Sequence, residues 1–73
     1  MNKNKLKALL MQANNQIIIK VNDISFFLNP RKKHFINDIG IIAVNENNNK
    51  ASIVLLESIN SIIIDSRIFF LKS

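Results

Sequence analysis

The chain lacks cysteine altogether, and its 73 residues include one glycine, one proline, one histidine and neither tryptophan nor tyrosine. Without cysteine, no disulfide, no thiolate zinc site and no cysteine nucleophile can form. With a single glycine, a glycine-rich phosphate loop is also excluded. The length indicates one domain over residues 1–73, and small domains without crosslinks often gain stability by oligomerising.

Long apolar runs are missing as well. Charged residues or asparagines interrupt every hydrophobic block before it reaches the roughly eighteen residues that a membrane helix needs. The N-terminal lysines precede only a short apolar stretch with no small-residue cleavage pattern, so we read no secretory signal. We therefore expect a cytoplasmic protein with no membrane partner. The 48% of hydrophobic residues, concentrated in blocks, exclude a disordered chain.

Negative charge is scarce, and none occurs before Asp23. Ten Lys and Arg against five Asp and Glu give a net charge of +5. This excess favours an anionic partner such as nucleic acid. Abundant isoleucine, asparagine and lysine are equally typical of a genome rich in A and T, so codon bias is an alternative source of the charge.

The sequence contains few residues that could form a catalytic or metal site. His34 is the sole imidazole, and no Asp or Glu lies at a convincing spacing to share a metal ion with it. The serines carry no nucleophile-elbow context. We therefore predict no enzyme activity, no catalytic residues, no metal site and no cofactor.

The first segment has the period of an amphipathic helix. Its apolar residues follow the i, i+3, i+4, i+7 pattern, at Leu6, Leu9, Leu10 and Ala13. We predict a helix near residues 4–14 that covers one side of a small sheet. Asparagines are suited to both ends, with Asn2 or Asn4 as the N-cap and Asn14 or Asn15 in the left-handed conformation at the end.

After Asn15 the hydrophobic period changes to two, which indicates β-strands. One face of "QIIIKVN" carries Ile17, Ile19 and Val21, and one face of "ISFFLN" carries Ile24, Phe26 and Leu28. Asn22-Asp23 between them is suited to a two-residue hairpin turn. Asn29-Pro30 ends the second strand, because proline cannot donate to a ladder and restricts the residue before it.

Three further segments have strand character. "HFINDIGIIAVN" has Gly40 inside it, where a lone glycine marks a bulge or sharp bend, and the turn "ENNNK" separates it from the strand "ASIVLLE". "SIN" is a short connector, and "SIIIDSRIFFLK" is a final strand or a bent pair of strands. The fold class is mainly β (α+β). An N-terminal helix and about five short strands form a small barrel or a strongly bent antiparallel sheet.

The apolar blocks place isoleucine, valine and leucine on both faces of the strands. One helix and one small interior cannot bury all of them, and obligate interfaces are the apolar surfaces that take such an excess. We therefore predict a homo-oligomer. The terminal "RIFFLK" is a candidate for pairing across subunits, because an exposed apolar edge strand invites partners.

The stretch "LKALLMQANNQIIIKVNDISFFLN" places a Leu-rich helix directly before a strand of alternating Ile and Val and an Asn-led turn. It resembles the Sm-like fold, most of all its bacterial form, the Hfq family of RNA chaperones. "SINSIIID" resembles the short helical link and fourth strand of such barrels. The resemblance implies a ring oligomer that binds single-stranded RNA.

The chain departs from that family at two motifs. The family's glycine in the bent second strand has no counterpart at the expected place, since Gly40 lies well beyond it. The Tyr-Lys-His stretch of the second motif is absent, so its RNA-binding residues are not carried over. Other SH3-like small barrels fit the pattern nearly as well.

The stretch "LNPRKKHFIND" holds the only run of three consecutive positive charges, next to the single proline and the single histidine. A basic loop beside an aromatic ring can contact phosphates and stack a base. We predict a nucleic-acid-binding site at Arg31, Lys32, Lys33, His34, Phe35 and Lys20. Lys50 and Arg67 could extend it. The alternative is a solvated basic turn with Phe35 directed into the core.

These observations favour a small, basic, oligomeric nucleic-acid-binding protein, a non-catalytic Sm-like regulator that acts on RNA or DNA. The alternative is a protein-interaction module, such as a small phage or plasmid regulator or inhibitor that binds a host protein. In that case the apolar surplus would serve a foreign partner. A purely structural subunit is a third option.

Overall fold

The fold is mainly β, as predicted. In the computed structural model, which describes residues 2–71, one short helix precedes a single open sheet of six antiparallel strands. The elements are α1 (Lys3–Leu10), β1 (Ile17–Val21), β2 (Ile24–Leu28), β3 (Gly40–Asn45), β4 (Ala51–Leu55), a 3₁₀ turn (Leu56–Ser58), β5 (Ser61–Ile64) and β6 (Arg67–Phe70). The strand order is β4-β3-β2-β1-β5-β6.

Helix α1 begins where the sequence predicts and ends earlier. The Asn2 side chain accepts a hydrogen bond from the Lys5 amide at 2.8 Å, which confirms the N-cap. The helix ends at Leu10 instead of near residue 14. Neither Asn14 nor Asn15 has a positive φ, so the predicted left-handed end is wrong. No helix in residues 2–71 is long and apolar enough to cross a membrane.

The hairpin of β1 and β2 follows the prediction closely. Ile17 pairs with Leu28 at one end and Val21 with Ile24 at the other. Asn22 has a φ of 54°, which the turn between the strands requires. β2 stops at Leu28, directly before the predicted break at Asn29-Pro30.

The third strand is shorter than the sequence suggested. β3 begins at Gly40, whereas we expected a strand from His34 with Gly40 in its interior. The Asn37 side chain accepts hydrogen bonds from the amides of Ile39 and Gly40 at 2.8 and 3.0 Å. Asparagine side chains that bond to the backbone two residues on favour turns over strands. The ladder is therefore reduced to an isolated bridge between Ile36 and Ile41.

The last segment forms a hairpin, which is why the sheet has six strands instead of about five. β5 and β6 pair from Ile64 with Arg67 to Ser61 with Phe70. Asp65 and Ser66 form the two-residue turn, with φ angles of 49° and 74°. Two consecutive positive φ angles are the geometry of the tight turns that match the twist of paired strands. Lys72 of "RIFFLK" lies outside the described residues.

The two faces of the sheet differ in burial. The inner face and the helix form one core, made of Leu6, Leu10, Ile17, Ile19, Phe26, Ile41, Ala43, Val54, Leu56, Ile59, Ile62 and Ile64. The outer face carries a row of apolar side chains in register across six strands: Ala51, Val44, Phe27, Ile18, Ile63 and Ile68. Apolar residues thus occupy both faces, as the sequence blocks suggested.

Gly40 is required by the close approach of β3 and β4. A Cβ atom at this position would lie 2.6 Å from the Val54 carbonyl oxygen and 3.1 Å from the Ile53 side chain. The first contact is with backbone and cannot be relieved by a change of rotamer. The role of the glycine is therefore to allow β3 and β4 to lie close together. The sequence suggested a different role, a bulge or bend inside a strand.

Replacing Gly40 with alanine should lower the free energy of unfolding by about 2 kcal/mol, because the methyl group must push two paired strands apart. Urea denaturation followed by circular dichroism is the measurement, since the chain has no tryptophan or tyrosine for fluorescence. The exposed Glu46→Ala variant is the control. An unchanged midpoint for Gly40→Ala would contradict the close packing of β3 on β4.

Candidate nucleic-acid interface

The basic stretch after β2 is an ordered turn built on Asn29. The Asn29 side chain accepts from the Arg31 amide at 2.9 Å, and the Asn29 carbonyl accepts from the Lys32 amide at 3.2 Å. The same carbonyl lies 3.1 Å from Nε2 of His34. The backbone is thereby fixed while the side chains of Arg31, Lys32 and Lys33 remain exposed to solvent.

Helix α1 brings a further cation to this loop. Lys7 lines a small cavity of about 310 Å³ between the end of the helix and the loop, together with Pro30, His34 and Ile36. Lys7 also lines a second, larger depression beside Lys33. Two cationic segments that are more than twenty residues apart in sequence therefore meet at one place.

The larger depression is an open groove of about 540 Å³, which we call the basic groove. Its lining includes two lysines, an imidazole and a phenyl ring, at Lys7, Lys33, His34 and Phe35. Its apolar floor includes Ile36, Ile39, Ile42 and Ile53. The groove thus combines positive charge at its rim with an apolar base, and this is the combination that accommodates a polyanion carrying flat rings.

Phe35 is turned towards solvent, with 64% of its surface exposed, so the interpretation that it points into the core is wrong. Its neighbour Ile36 packs against the core instead. The Phe35 carbonyl accepts from the Ile42 amide at 3.0 Å, which holds this segment extended beside β3. Successive side chains of an extended segment point to opposite sides, so an inward Ile36 places Phe35 outward.

The other cations of the predicted site lie elsewhere. Nζ of Lys20 donates to the Ser25 hydroxyl at 2.8 Å, close to the β1–β2 turn. Four residues of extended β2, about 13 Å, separate Ser25 from Asn29 at the base of the loop. Arg67 lies over the Phe69 ring at 5.7 Å, and Lys50 follows the turn after β3. Lys33, His34 and Phe35 are brought together with Lys7. Arg31 and Lys32 are exposed on the same loop but line neither depression, and Lys20 lies elsewhere.

Lys7 is the residue of the groove that sequence reasoning did not select. The acid-free, lysine-rich N-terminus was a signal that this region could meet an anion. The period of the helix could not show which lysine faces the loop, because that depends on how α1 docks on the sheet. Only the tertiary structure places Lys7 beside His34.

The carboxylates close to the loop are few. Asp38 follows the loop directly and pairs with Lys3 of α1 at 3.4 Å, so its charge is partly balanced. In residues 2–71, no group of three His, Asp or Glu side chains is arranged to hold a metal ion. The basic groove therefore offers cations, a ring and apolar surface as its binding chemistry.

Comparisons with protein-family models, with curated proteins and with solved structures found no match to this chain.

Replacing Phe35 with alanine should change the free energy of unfolding by no more than about 0.5 kcal/mol, because a mostly exposed ring contributes little to stability. Phe26, which is 8% exposed, is the matched control. Its replacement by alanine should cost about 3–5 kcal/mol through the cavity it leaves. Urea titrations followed by circular dichroism compare the two variants. A large loss for Phe35→Ala would mean that the ring is buried.

Proposed function

We propose that the chain is a small, non-catalytic regulator that binds single-stranded RNA or DNA in the basic groove. One observation carries this proposal. Lys33 and His34 of the loop after β2 line one groove with Lys7 of α1, and the exposed ring of Phe35 lines it as well. The sequence alone placed these cations on separate segments.

The chemistry of the groove fits a single strand better than a duplex. Lys7 and Lys33 of the groove, with the exposed Arg31 and Lys32 on the same loop, can neutralise phosphates and release their counterions, which gives affinity without sequence dependence. A base can stack on an exposed aromatic ring only when it is not already stacked inside a duplex. Such a stack contributes about 1–3 kcal/mol for each base, as measured by alanine substitution. Phe35 therefore favours single strands.

Removal of the loop charges tests the proposal. The triple variant Arg31→Ala, Lys32→Ala, Lys33→Ala should weaken binding similarly for all sequences. It should also flatten the dependence of log affinity on log salt by about two units on a single strand. The matched control removes the same total charge at Lys20, Lys50 and Arg67, none of which lines the groove. Fluorescence anisotropy with labelled single- and double-stranded oligonucleotides, at several salt concentrations, gives both slopes.

Two outcomes would count against this function. Absence of binding by the wild-type chain at low salt would leave the loop as a solvated turn and favour the protein-interaction alternative. Equal slopes for the wild-type chain and the loop variant would place the anion site elsewhere. Each variant is expected to fold, because surface charges of this kind contribute little stability. Circular dichroism checks this.

We also propose that the sheet closes into a small barrel of the Sm-like or SH3-like kind and that the protein is a homo-oligomer. In support of closure, side chains from β4 and from β5 share one core although three strands separate them in the sheet. In support of association, β4 and β6 form the two edges of the sheet. Both edges carry exposed apolar residues, with Ile53 at 70% and Phe70 at 78%. Unpaired edges of this kind invite another strand.

A charge placed on an edge tests the association. Ile53→Lys should leave the fold intact, because this side chain is mostly exposed, and should shift the protein towards monomer, because lysine on an edge strand opposes pairing. Size exclusion with light scattering at micromolar concentration is the measurement. The control is Glu46→Lys, which introduces a lysine in the exposed turn after β3. A wild-type chain that is already monomeric would refute the homo-oligomer.

The protein-interaction alternative is supported by the outer face of the sheet. Its apolar row continues across all six strands, and Phe27 and Ile68 on it are 38% and 55% exposed. In this alternative a regulator or inhibitor, such as one of phage or plasmid origin, docks that face on a host protein. A monomeric chain that binds no oligonucleotide at low salt would make this function the leading one.

A further inference from the structure

The carboxylate of Asp65 fastens the β5–β6 turn to the segment between α1 and β1. Its two oxygens accept hydrogen bonds from the amides of Asn14, Asn15 and Gln16 at 2.8, 2.7 and 2.9 Å. The Asp65 amide in turn donates to the Gln16 carbonyl at 3.1 Å. We call this arrangement of Asp65 with residues 14–16 the Asp65 clasp.

The clasp joins parts of the chain that are about fifty residues apart, and it is specific for a carboxylate. Successive amides that point at one anion form a concave binding site for negative charge. The amide bonds, with a smaller contribution from the nearby Arg67, hold the pKa of Asp65 below its ordinary value of 3.8. A neutral side chain could not accept all these bonds as favourably, since hydrogen bonds to an ionised group are the stronger ones.

The clasp also explains where the helix ends. Gln12 and Ala13 donate to the carbonyls of Leu9 and Leu10, which is the tightened last turn of a helix. The next three amides turn to Asp65 instead of continuing the helix. The chain is thereby led from the end of α1 into the start of β1 with its backbone amides hydrogen-bonded.

Few other contacts hold α1 in place. Its buried side chains are Leu6 and Leu10, and Leu9 is partly buried against the core. Its ion pair between Lys3 and Asp38 is exposed and therefore weak. Eight residues are too few for a helix to be stable in water without tertiary support. The segment directly after the helix is the place where a polar anchor has most influence on its position.

We propose that Asp65 is a positioning residue, which holds α1 against the sheet and thereby sets the Lys7 side of the basic groove. The first half of this inference concerns the helix and stands independently. The second half rests on the proposed function, because Lys7 matters only if the groove binds an anion. Asp65 touches neither the loop nor the groove, so it would act only through the helix.

Amide hydrogen exchange tests the first half. In Asp65→Ala, exchange at residues 14–16 should accelerate by at least about tenfold, because these amides lose their acceptor. Exchange in the second turn of α1 should accelerate similarly, because the helix loses its anchor and opens more often. Exchange in β1 to β3 should change far less. The control is Asp23→Ala, which removes the same charge from the exposed β1–β2 turn. Equal acceleration in every strand would show general destabilisation, and no acceleration in α1 would overturn the positioning role.

Affinity for a single-stranded oligonucleotide tests the link between Asp65 and the groove, because two variants with the same charge change should alter the affinity in different directions. Loss of any carboxylate makes the chain more positive, so Asp23→Ala should bind equally well or more tightly. Asp65→Ala should bind several-fold more weakly in spite of the same charge change, because Lys7 is no longer held at the groove. Tighter binding by both variants would overturn the link to the groove. If the wild-type chain binds no oligonucleotide, the exchange result still decides the first half.

Acid provides an independent check. Because the pKa of Asp65 is lowered in the folded chain, its stabilising contribution is present above the ordinary value of 3.8 and is lost as the pH falls through the lowered value. The difference in thermal midpoint between the wild-type chain and Asp65→Ala should therefore be full at neutral pH and vanish in strong acid. A difference that is the same at both pH values would contradict the clasp.

Discussion

The inner face of six strands has only an eight-residue helix to cover it, and most of the structure follows from this shortage. An apolar sheet face must be buried against another layer, and no second sheet exists in residues 2–71. The core therefore draws on strands from both ends of the sheet. Ile41 and Val54 from one side of the sheet share a core with Ile62 and Ile64 from the other. Leu6 and Leu10 of the helix complete this core.

The same shortage shapes the candidate site. Because α1 is short and must lie over the core, its exposed side falls beside the loop that leaves β2 at Pro30. Lys7 consequently lines one groove with Lys33 and His34. The Asp65 clasp fastens the segment after the helix to the β5–β6 turn, so the far hairpin and the groove are linked through the helix. In residues 2–71, the outer face keeps exposed apolar side chains, among them Phe27 and Ile68.

Much of the local structure could be predicted because it depends on neighbours in sequence. The N-cap at Asn2, the turn at Asn22 and the break before Pro30 each follow from one residue's conformational preference. The errors arose where a side chain captures backbone amides, once from a distant part of the chain and once locally. Asn14 and Asn15 do not end the helix in the left-handed conformation, because Asp65 captures their amides from about fifty residues away. The strand expected from His34 is interrupted by a side-chain turn at Asn37, and apolar alternation could not reveal that turn.

The sequence by itself determined that this is a small, cysteine-free, basic domain with one helix followed by strands, because composition and hydrophobic period are properties of the chain alone. It also located the cationic cluster from Arg31 to His34. Only the tertiary structure decided that Phe35 faces outward, that Lys7 joins the cluster and that Lys20 does not. The reason is that hydrophobic periodicity shows only which face of its own helix or strand a side chain occupies. A binding site depends on which faces of different helices, strands and loops meet.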